Sequence, residues 1–154
     1  MLAKVLTVSD STSRGERKDT SGPALKKYLE DHEFDVVSYE IISDGVEEVS
    51  RKLREMSDNF VGVIITTGGT GFSPRDLTPE ASRLVIERDA PGFAEAMRRS
   101  SKFGPLSRGI CGIVGKTIVI NVPGSEKGAL ESLEAVVEVL PHALNLLSED
   151  QVGH

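Results

Sequence analysis

An apolar run at residues 61–65 leads directly into the stretch TTGGTGFSPRDLTPEA, residues 66–81, which holds three glycines within four residues. The apolar run predicts a buried strand, and Thr78 followed by Pro79 predicts a helix start with Thr78 as its cap. A strand that ends in such a loop before a helix is typical of an open α/β sheet, in which ligands bind beyond the carboxyl ends of the strands. The stretch therefore constrains both the fold and the position of any site.

Hydrophobic periodicity predicts alternating strands and helices along the rest of the chain. The predicted strands cover residues 5–8, 36–42, 61–66, 110–114 and 117–122. The predicted helices cover residues 23–33, 46–56 and 78 to about 89, a segment after Pro91, and a long final helix from near Ser125 whose leucine seam reaches Leu147, with a kink at Pro141. This order predicts an α/β fold with three layers, α/β/α, built on a mostly parallel sheet with one antiparallel edge hairpin at Gly115 and Lys116.

Length and composition limit the class of protein. A chain of 154 residues is expected to form a single domain, residues 1–154. The formal net charge of -6 argues against a protein that mainly binds nucleic acid or an anionic membrane. Cys111 is the only cysteine, which excludes an internal disulfide or a cysteine-rich metal site and favours a reducing cytoplasm. No apolar run has the length of a membrane span or a signal core.

The polar residues of interest follow predicted strands. Glycines at a strand end let the backbone approach a ligand, so that N–H groups can surround phosphate oxygens, but the GGTG pattern fits a tight turn equally well. Two further strand ends, ISDG and NVPGS, are expected at the same edge of the sheet. Asp44 and Asp76 would stand there as oxygen ligands for Mg²⁺. By residue type alone, Asp44 with Glu47 fits a helix cap, and Asp76 fits an ordinary loop position.

Several motifs in a fixed order extend this pattern over nearly the whole chain. They are TVSDS near the start, DTSGPAL at residues 19–25, ISDG, TTGGTGFSPRDLTPEA, PGFAEAMRRSS at residues 91–101, LSRG at residues 106–109 and NVPGS at residues 121–125. In these motifs the chain resembles the molybdenum-cofactor biosynthesis family that adenylylates molybdopterin. That family includes the bacterial MogA and MoaB proteins and the G domains of gephyrin and its plant counterpart.

The resemblance implies a reaction and its participants. It implies an α/β/α domain that binds molybdopterin and Mg-ATP, transfers AMP to the terminal phosphate of molybdopterin and releases pyrophosphate. It also implies a homotrimer or a hexamer, handover of the product to the metal-inserting enzyme of the pathway, and neither a nucleic-acid nor a membrane partner.

The resemblance also assigns residues by position. It gives catalysis and Mg²⁺ binding to Asp44 and Asp76. It gives substrate and nucleotide binding to Ser9, Asp10, Gly68, Gly69, Thr70, Gly71, Ser107, Asn121, Pro123, Gly124, Ser125 and Lys127. Glu126 stands where the family often has a proline, a departure that bears on the geometry of Lys127.

Two other functions stay open at this point. A competence-damage-inducible type enzyme on a similar fold reads more like GGLGPTxDDLT, whereas Thr70 and the order Arg75-Asp76 favour the adenylyltransferase. The second alternative is a pterin-binding or scaffolding member without turnover, against which the retained Asp44 and Asp76 argue. The sequence leaves the individual roles of its nearby basic residues open, namely Arg14, Arg17, Lys18 and Arg75.

Overall fold

A computed structural model describes residues 1–149, and residues 150–154 of the expected single domain lie outside it. The strands are β1 (Leu2–Val8), β2 (Asp35–Ile42), β3 (Gly62–Thr67), β4 (Arg88–Asp89), β5 (Cys111–Val114) and β6 (Thr117–Val122). The helices are α1 (Asp10–Ser13), α2 (Ser21–Asp31), α3 (Val46–Ser57), α4 (Thr78–Arg83), α5 (Pro91–Arg99), α6 (Glu126–Glu134) and α7 (Leu140–Ser148). Short 3₁₀ turns lie at Gly104–Leu106 and Val137–Val139.

The strands form one sheet in the order β2-β1-β3-β6-β5-β4. The first four strands of this order are parallel, whereas β5 runs antiparallel to β6 and β4 runs antiparallel to β5. The predicted α/β fold with a mostly parallel sheet and an antiparallel hairpin at one edge is confirmed, and β4 extends that edge by one short strand. Among residues 1–149, no helix combines the length and the apolarity that crossing a membrane requires.

Helices cover both faces of the sheet and bury two apolar clusters. Helices α2, α5, α6 and α7 contribute to one cluster, and α3 and α4 contribute to the other. All six residues of β3 are buried, as expected for a central parallel strand covered on both faces. Cys111 is packed in the first cluster, and burial raises the pKa of its thiol to about 12, so it behaves as a small apolar side chain.

Two predicted helices differ from the observed ones. The helix predicted to reach about Asp89 ends at Arg83, because the backbone beyond it pairs with β5, beginning with Glu87 N–H donating to Ile113 O at 2.9 Å. The long final helix is instead α6 and α7, separated by a 3₁₀ turn. Pro141 lies in the first turn of α7, where no helical N–H is needed, so the predicted kink within a continuous helix was wrong.

Candidate active site

The carboxyl ends of the four parallel strands bring the predicted loops to one edge of the sheet. Ser9 N–H, beyond β1, donates to Ile42 O of β2 at 2.9 Å, and Gly68 N–H, beyond β3, donates to Val122 O of β6 at 3.2 Å. A side chain on Gly124 would begin only 3.2 Å from Gly68 Cα. The convergence expected from the strand pattern is therefore confirmed.

The first two glycines of the GGTG loop are required by close packing within the protein. Gly68 has a φ of +103°, and a Cβ there would lie 2.2 Å from Val8 O. Gly69 has a φ of +65°, and a Cβ there would lie 2.3 Å from Thr78 Oγ1 and 2.9 Å from Asp44 Oδ1. The tight turn therefore accounts for these glycines by itself, and it also places the loop directly beside Asp44.

The Asp44 side chain bonds to Asp10 and does not cap helix α3. Asp10 N–H donates to Asp44 Oδ2 at 2.9 Å, and Asp44 N–H donates to Asp10 Oδ1 at 3.1 Å. Gly45 occupies the N-cap position of α3, and no side chain caps that helix. The helix-cap interpretation of Asp44 with Glu47 was therefore wrong, and Asp44 Oδ1 accepts no hydrogen bond from the described residues.

The electrostatic environments of these carboxyl groups differ. Burial raises the pKa of Asp44, and the negative charges of Asp10 and Asp76 add to that rise, while the hydrogen bond from Asp10 N–H opposes it. The hydrogen bonds from Arg75 hold the pKa of Asp10 below its usual range. Asp76 Oδ2 accepts from Ser73 N–H at 2.9 Å, which leaves Asp76 Oδ1 without a donor among the described residues.

Arg75 ties two of the strand ends to the loop that carries Asp76. Its Nε and Nη2 donate to the two carboxylate oxygens of Asp10 at 3.0 Å each, and Nη2 also donates to Asp44 O at 2.8 Å. The sequence left the role of Arg75 open, because its position next to Asp76 does not reveal a partner that lies 65 residues away. On the other side of the same loop lies Arg108, which the sequence did not single out although it stands in the LSRG motif.

Two clefts open on either side of the converging loops. The larger has a volume of about 690 Å³, and apolar side chains such as Met97, Phe103 and Leu106 form part of its lining. The smaller has a volume of about 370 Å³ and is lined mainly by polar groups, including Arg17 and Lys18. Both clefts share four lining residues, which are Gly69, Asp76, Gly124 and Ser125.

The clefts collect nearly all the predicted site residues. The larger cleft adds Thr70, Gly71, Ser107, Asn121, Pro123 and Lys127 to the four shared residues. The smaller cleft adds Ser9, Asp44 and Gly68. Asp10 lines neither cleft and is hydrogen-bonded to Asp44 and to Arg75.

Asn121 and Ser125 have partners inside the protein. The Asn121 amide nitrogen donates to Thr66 Oγ1 and Ser82 Oγ at 2.9 Å each, and its oxygen accepts from Ile110 N–H at 3.2 Å. The Asn121 side chain is fully buried, so its amide acts by holding Thr66, Ser82 and Ile110 in place. Ser125 caps α6 by accepting from Gly128 N–H at 3.2 Å.

Thr78 departs from the expected helix cap. Leu77 occupies the N-cap position of α4, and Thr78 lies one residue further on, in the first turn of the helix. Its Oγ1 is buried and has no hydrogen-bond partner among the described residues. Across residues 1–149, no set of three or more His, Cys, Asp or Glu side chains is arranged to hold a metal ion. Any metal held by Asp44 and Asp76 would therefore need further ligand oxygens from substrate or water.

Comparison with known proteins identifies the family. The model of a family described as a probable molybdopterin binding domain matches residues 4–142. A molybdopterin adenylyltransferase of Helicobacter pylori, by its name a nucleotidyltransferase, is 39% identical over 150 residues, which are 93% of this chain and 85% of that protein. The molybdenum cofactor synthesis protein cinnamon of Drosophila melanogaster is 40% identical over 152 residues, 95% of this chain, but the chain spans only 25% of its length.

A solved structure supports the same relationship. The molybdopterin biosynthesis enzyme MoaB of Thermus thermophilus superposes with a TM-score of 0.89 at 45% identity, and the superposition covers 96% of each chain. The family match over most of the chain, the Helicobacter pylori relative and the shared fold agree with one another. The chain therefore belongs to the molybdopterin-binding domain family of molybdenum cofactor biosynthesis.

Proposed function

We propose that this protein transfers the adenylyl group of Mg-ATP to the terminal phosphate of molybdopterin and releases pyrophosphate. The observation that supports this most strongly is the meeting of two clefts at Gly69, Asp76, Gly124 and Ser125. A reaction between two substrates requires two binding volumes that open onto one point. The names of the relatives agree with this chemistry.

The linings of the clefts suggest which substrate each one takes. The larger cleft has room and apolar side chains for a pterin ring system, with Lys127, whose side chain is 87% exposed, near its edge. The smaller cleft is lined by hydroxyl groups and by Arg17 and Lys18, which form no ion pair with any described residue. It therefore suits the phosphate chain of a nucleotide, with the α-phosphate at the junction and the pyrophosphate towards Arg17 and Lys18.

Asp76 at the junction and Asp44 in the smaller cleft fit a magnesium ion. Mg²⁺ in phosphate-transfer sites is held by one or two carboxylates together with substrate phosphates and water. Asp44 Oδ1 and Asp76 Oδ1 accept no hydrogen bond from residues 1–149, so each has an oxygen available as a ligand. When bound, the ion would neutralise phosphate charge and stabilise the charge that develops on the departing pyrophosphate.

The proposed adenylyl transfer needs little acid–base catalysis. An anionic oxygen of the molybdopterin phosphate attacks the α-phosphorus of ATP, a new P–O–P bond forms, and the bond between the α-phosphorus and the β-phosphate oxygen breaks. The nucleophile is already ionised, so no side chain has to remove a proton from it. The barrier then lies in bringing anions together in line, and the protein lowers it by positioning and electrostatic stabilisation.

We also propose a homotrimer or a hexamer that acts in the cytoplasm. Support for self-association comes from the C-terminal region, where Val139 and Leu146 are 56% and 58% exposed in the single chain. Exposed apolar side chains of this size are suited to an interface between subunits.

Incubation with molybdopterin and Mg-ATP, followed by mass spectrometry of the pterin and an assay for pyrophosphate, tests the proposal. We expect adenylylated molybdopterin and pyrophosphate in equal amounts. Tight pterin binding without either product would instead favour the scaffolding function. Absence of both binding and turnover would favour another enzyme on the same fold.

A further inference from the structure

We propose that Arg108 is a positioning residue that holds Asp76 at the junction of the two clefts and links it to the wall of the larger cleft. The consequence for turnover rests on the proposed adenylyl transfer, whereas the effect on the position of Asp76 does not. Arg108 lies between the 3₁₀ turn at Gly104–Leu106 and strand β5, in a segment without regular structure.

The Arg108 guanidinium group holds both ends of the loop that carries Asp76. Its Nε donates to Gly71 O at 2.8 Å, and its Nη2 donates to Asp76 O. The Arg108 backbone N–H donates to Thr70 O at 2.8 Å. One residue therefore fixes the carbonyl groups at the beginning and at the end of the loop, and so sets the distance between them.

This distance matters because the loop is short and tightly folded. Asp76 Oδ2 would lie only 2.9 Å from a Cβ on Gly71, and Asp76 exchanges hydrogen bonds with Ser73 at 2.9 Å. Any separation of Gly71 from Asp76 would therefore change the position of the Asp76 carboxylate. The Arg75 guanidinium also restrains the loop, through Asp10 and Asp44 O, but it donates no hydrogen bond to Gly71 O or Asp76 O.

A second set of contacts orients the Arg108 side chain. Glu80, in the first turn of α4, accepts hydrogen bonds from Arg108 Nη1 and Nη2. This pair lowers the pKa of Glu80, so the carboxylate stays ionised. A planar guanidinium can donate to two carbonyls and a carboxylate at once, whereas a lysine ammonium offers a single point of charge.

The position of Arg108 in the chain connects these contacts to the larger cleft. The residues before it, Phe103, Gly104, Leu106 and Ser107, line that cleft. A ligand that orders this wall therefore also restrains Arg108, and through it the loop with Asp76. Occupation of the larger cleft is expected to prepare Asp76 for the reaction at the junction of the two clefts.

Hydrogen exchange in the free protein tests the positioning role without any substrate. In Arg108→Ala, the amides of Ser73 and Asp76, which donate hydrogen bonds within the loop, should exchange roughly 10-fold faster or more, because charge-assisted hydrogen bonds to the loop are lost. Arg83→Ala is the matched control, since Arg83 is an exposed arginine of α4 with no hydrogen bond to the loop. Glu80→Gln leaves the Arg108 guanidinium in place and should therefore show a smaller increase in amide exchange. Unchanged exchange at Ser73 and Asp76 in a folded Arg108→Ala protein would overturn the proposal.

Chemical rescue tests the consequence for turnover. Arg108→Ala should reduce kcat by roughly 10-fold or more with little change in the KM for Mg-ATP, and added methylguanidinium should restore part of kcat while methylammonium does not. Equal rescue by both cations, or a loss confined to KM, would contradict a positioning role. If the wild-type protein forms no adenylylated pterin, the proposed function fails while the exchange experiment still decides the role of Arg108.

Discussion

Asp10 and Asp44 each accept a hydrogen bond on the side chain from the backbone N–H of the other, at 3.1 and 2.9 Å. This reciprocal pair joins the end of β1 to the end of β2 and leaves Asp44 Oδ1 directed towards the Gly69 backbone. Two carboxylates so close to each other need compensating charge, which Arg75 supplies to Asp10 through two hydrogen bonds and to the carboxylate of Asp44 only through charge attraction. Asp44 is therefore the member of the pair that remains available for a cation.

The environment of Asp44 should make its ionised side chain destabilise the folded protein. Its pKa in the folded protein is raised by burial and by Asp10 and Asp76, so the folded state favours the protonated form more than the unfolded chain does. The stability that protonated Asp44 contributes is fully present below the pKa of Asp44 in the unfolded chain. It is lost as the pH rises through the pKa of Asp44 in the folded protein.

Asp44→Asn is therefore expected to raise the free energy of unfolding near neutral pH, with the advantage over wild type shrinking as the pH falls through the titration of Asp44. Urea unfolding at pH 7 and at acidic pH, in the absence of magnesium, measures the difference. A variant less stable than wild type at pH 7 would mean that the ionised carboxylate stabilises the fold.

A side chain on Gly69 should be unfavourable because of close packing around it, and this effect can be separated from that of its positive φ. Gly69→Val combines an unfavourable positive φ with a Cβ 2.3 Å from Thr78 Oγ1. Gly115→Val is the matched control, because Gly115 has a φ of +57° and nothing within 4 Å of its would-be Cβ.

Both variants should lose about 1 to 2 kcal/mol through backbone strain. Gly69→Val alone should also weaken binding of molybdopterin and Mg-ATP, measured by calorimetry on the folded protein. Equal ligand affinities in the two variants would show that the shape of the GGTG loop is not needed for binding.

Asn121 should prove more important to folding than to ligand contact. Asn121→Ala removes the partner of Thr66, Ser82 and Ile110 in a fully buried position, and should cost about 2 to 4 kcal/mol of unfolding free energy. Asn145→Ala, at an exposed position in α7, should change the stability by less than about 0.5 kcal/mol. Loss of ligand affinity in Asn121→Ala without loss of stability would instead assign the amide to direct binding.

The convergence of the site residues could be predicted from the sequence, whereas their partners could not. Parallel strands end at the same edge, so apolar runs followed by ISDG, GGTG and NVPGS were enough to bring Asp44, Gly69 and Ser125 together. The bonds of Arg75 to Asp10 and of Arg108 to Asp76 join residues far apart in the chain, and no local pattern encodes them.

The predicted element boundaries were wrong where two different local structures are compatible with the same sequence pattern. The leucine seam of the final segment repeats at three and four residues, and that spacing persists through the 3₁₀ turn between α6 and α7. Near the end of α4, pairing with β5 takes up the backbone that a longer helix would have used. The sequence predicted Thr78 as the N-cap of α4, but Leu77 occupies that position and the Thr78 hydroxyl is buried.

Self-association should be measurable directly. Sedimentation equilibrium at micromolar concentration is expected to give a mass of three chains or a multiple of three. Leu146→Glu, which puts a charge on an exposed apolar position of α7, should shift the distribution towards monomer. A wild-type protein that sediments only as a monomer would contradict the proposed assembly.

The central claim is that Asp44 and Asp76 together hold a Mg²⁺ ion where the two clefts meet, and that this ion stabilises the charge that develops during adenylyl transfer. Single-turnover rates for the wild type, Asp44→Asn and Asp76→Asn, with molybdopterin affinity measured on the same samples, test it most directly. The account expects each variant to bind molybdopterin normally but to react at least roughly 100-fold more slowly, equivalent to about 2.7 kcal/mol of barrier. Near-normal rates in both folded variants would contradict it.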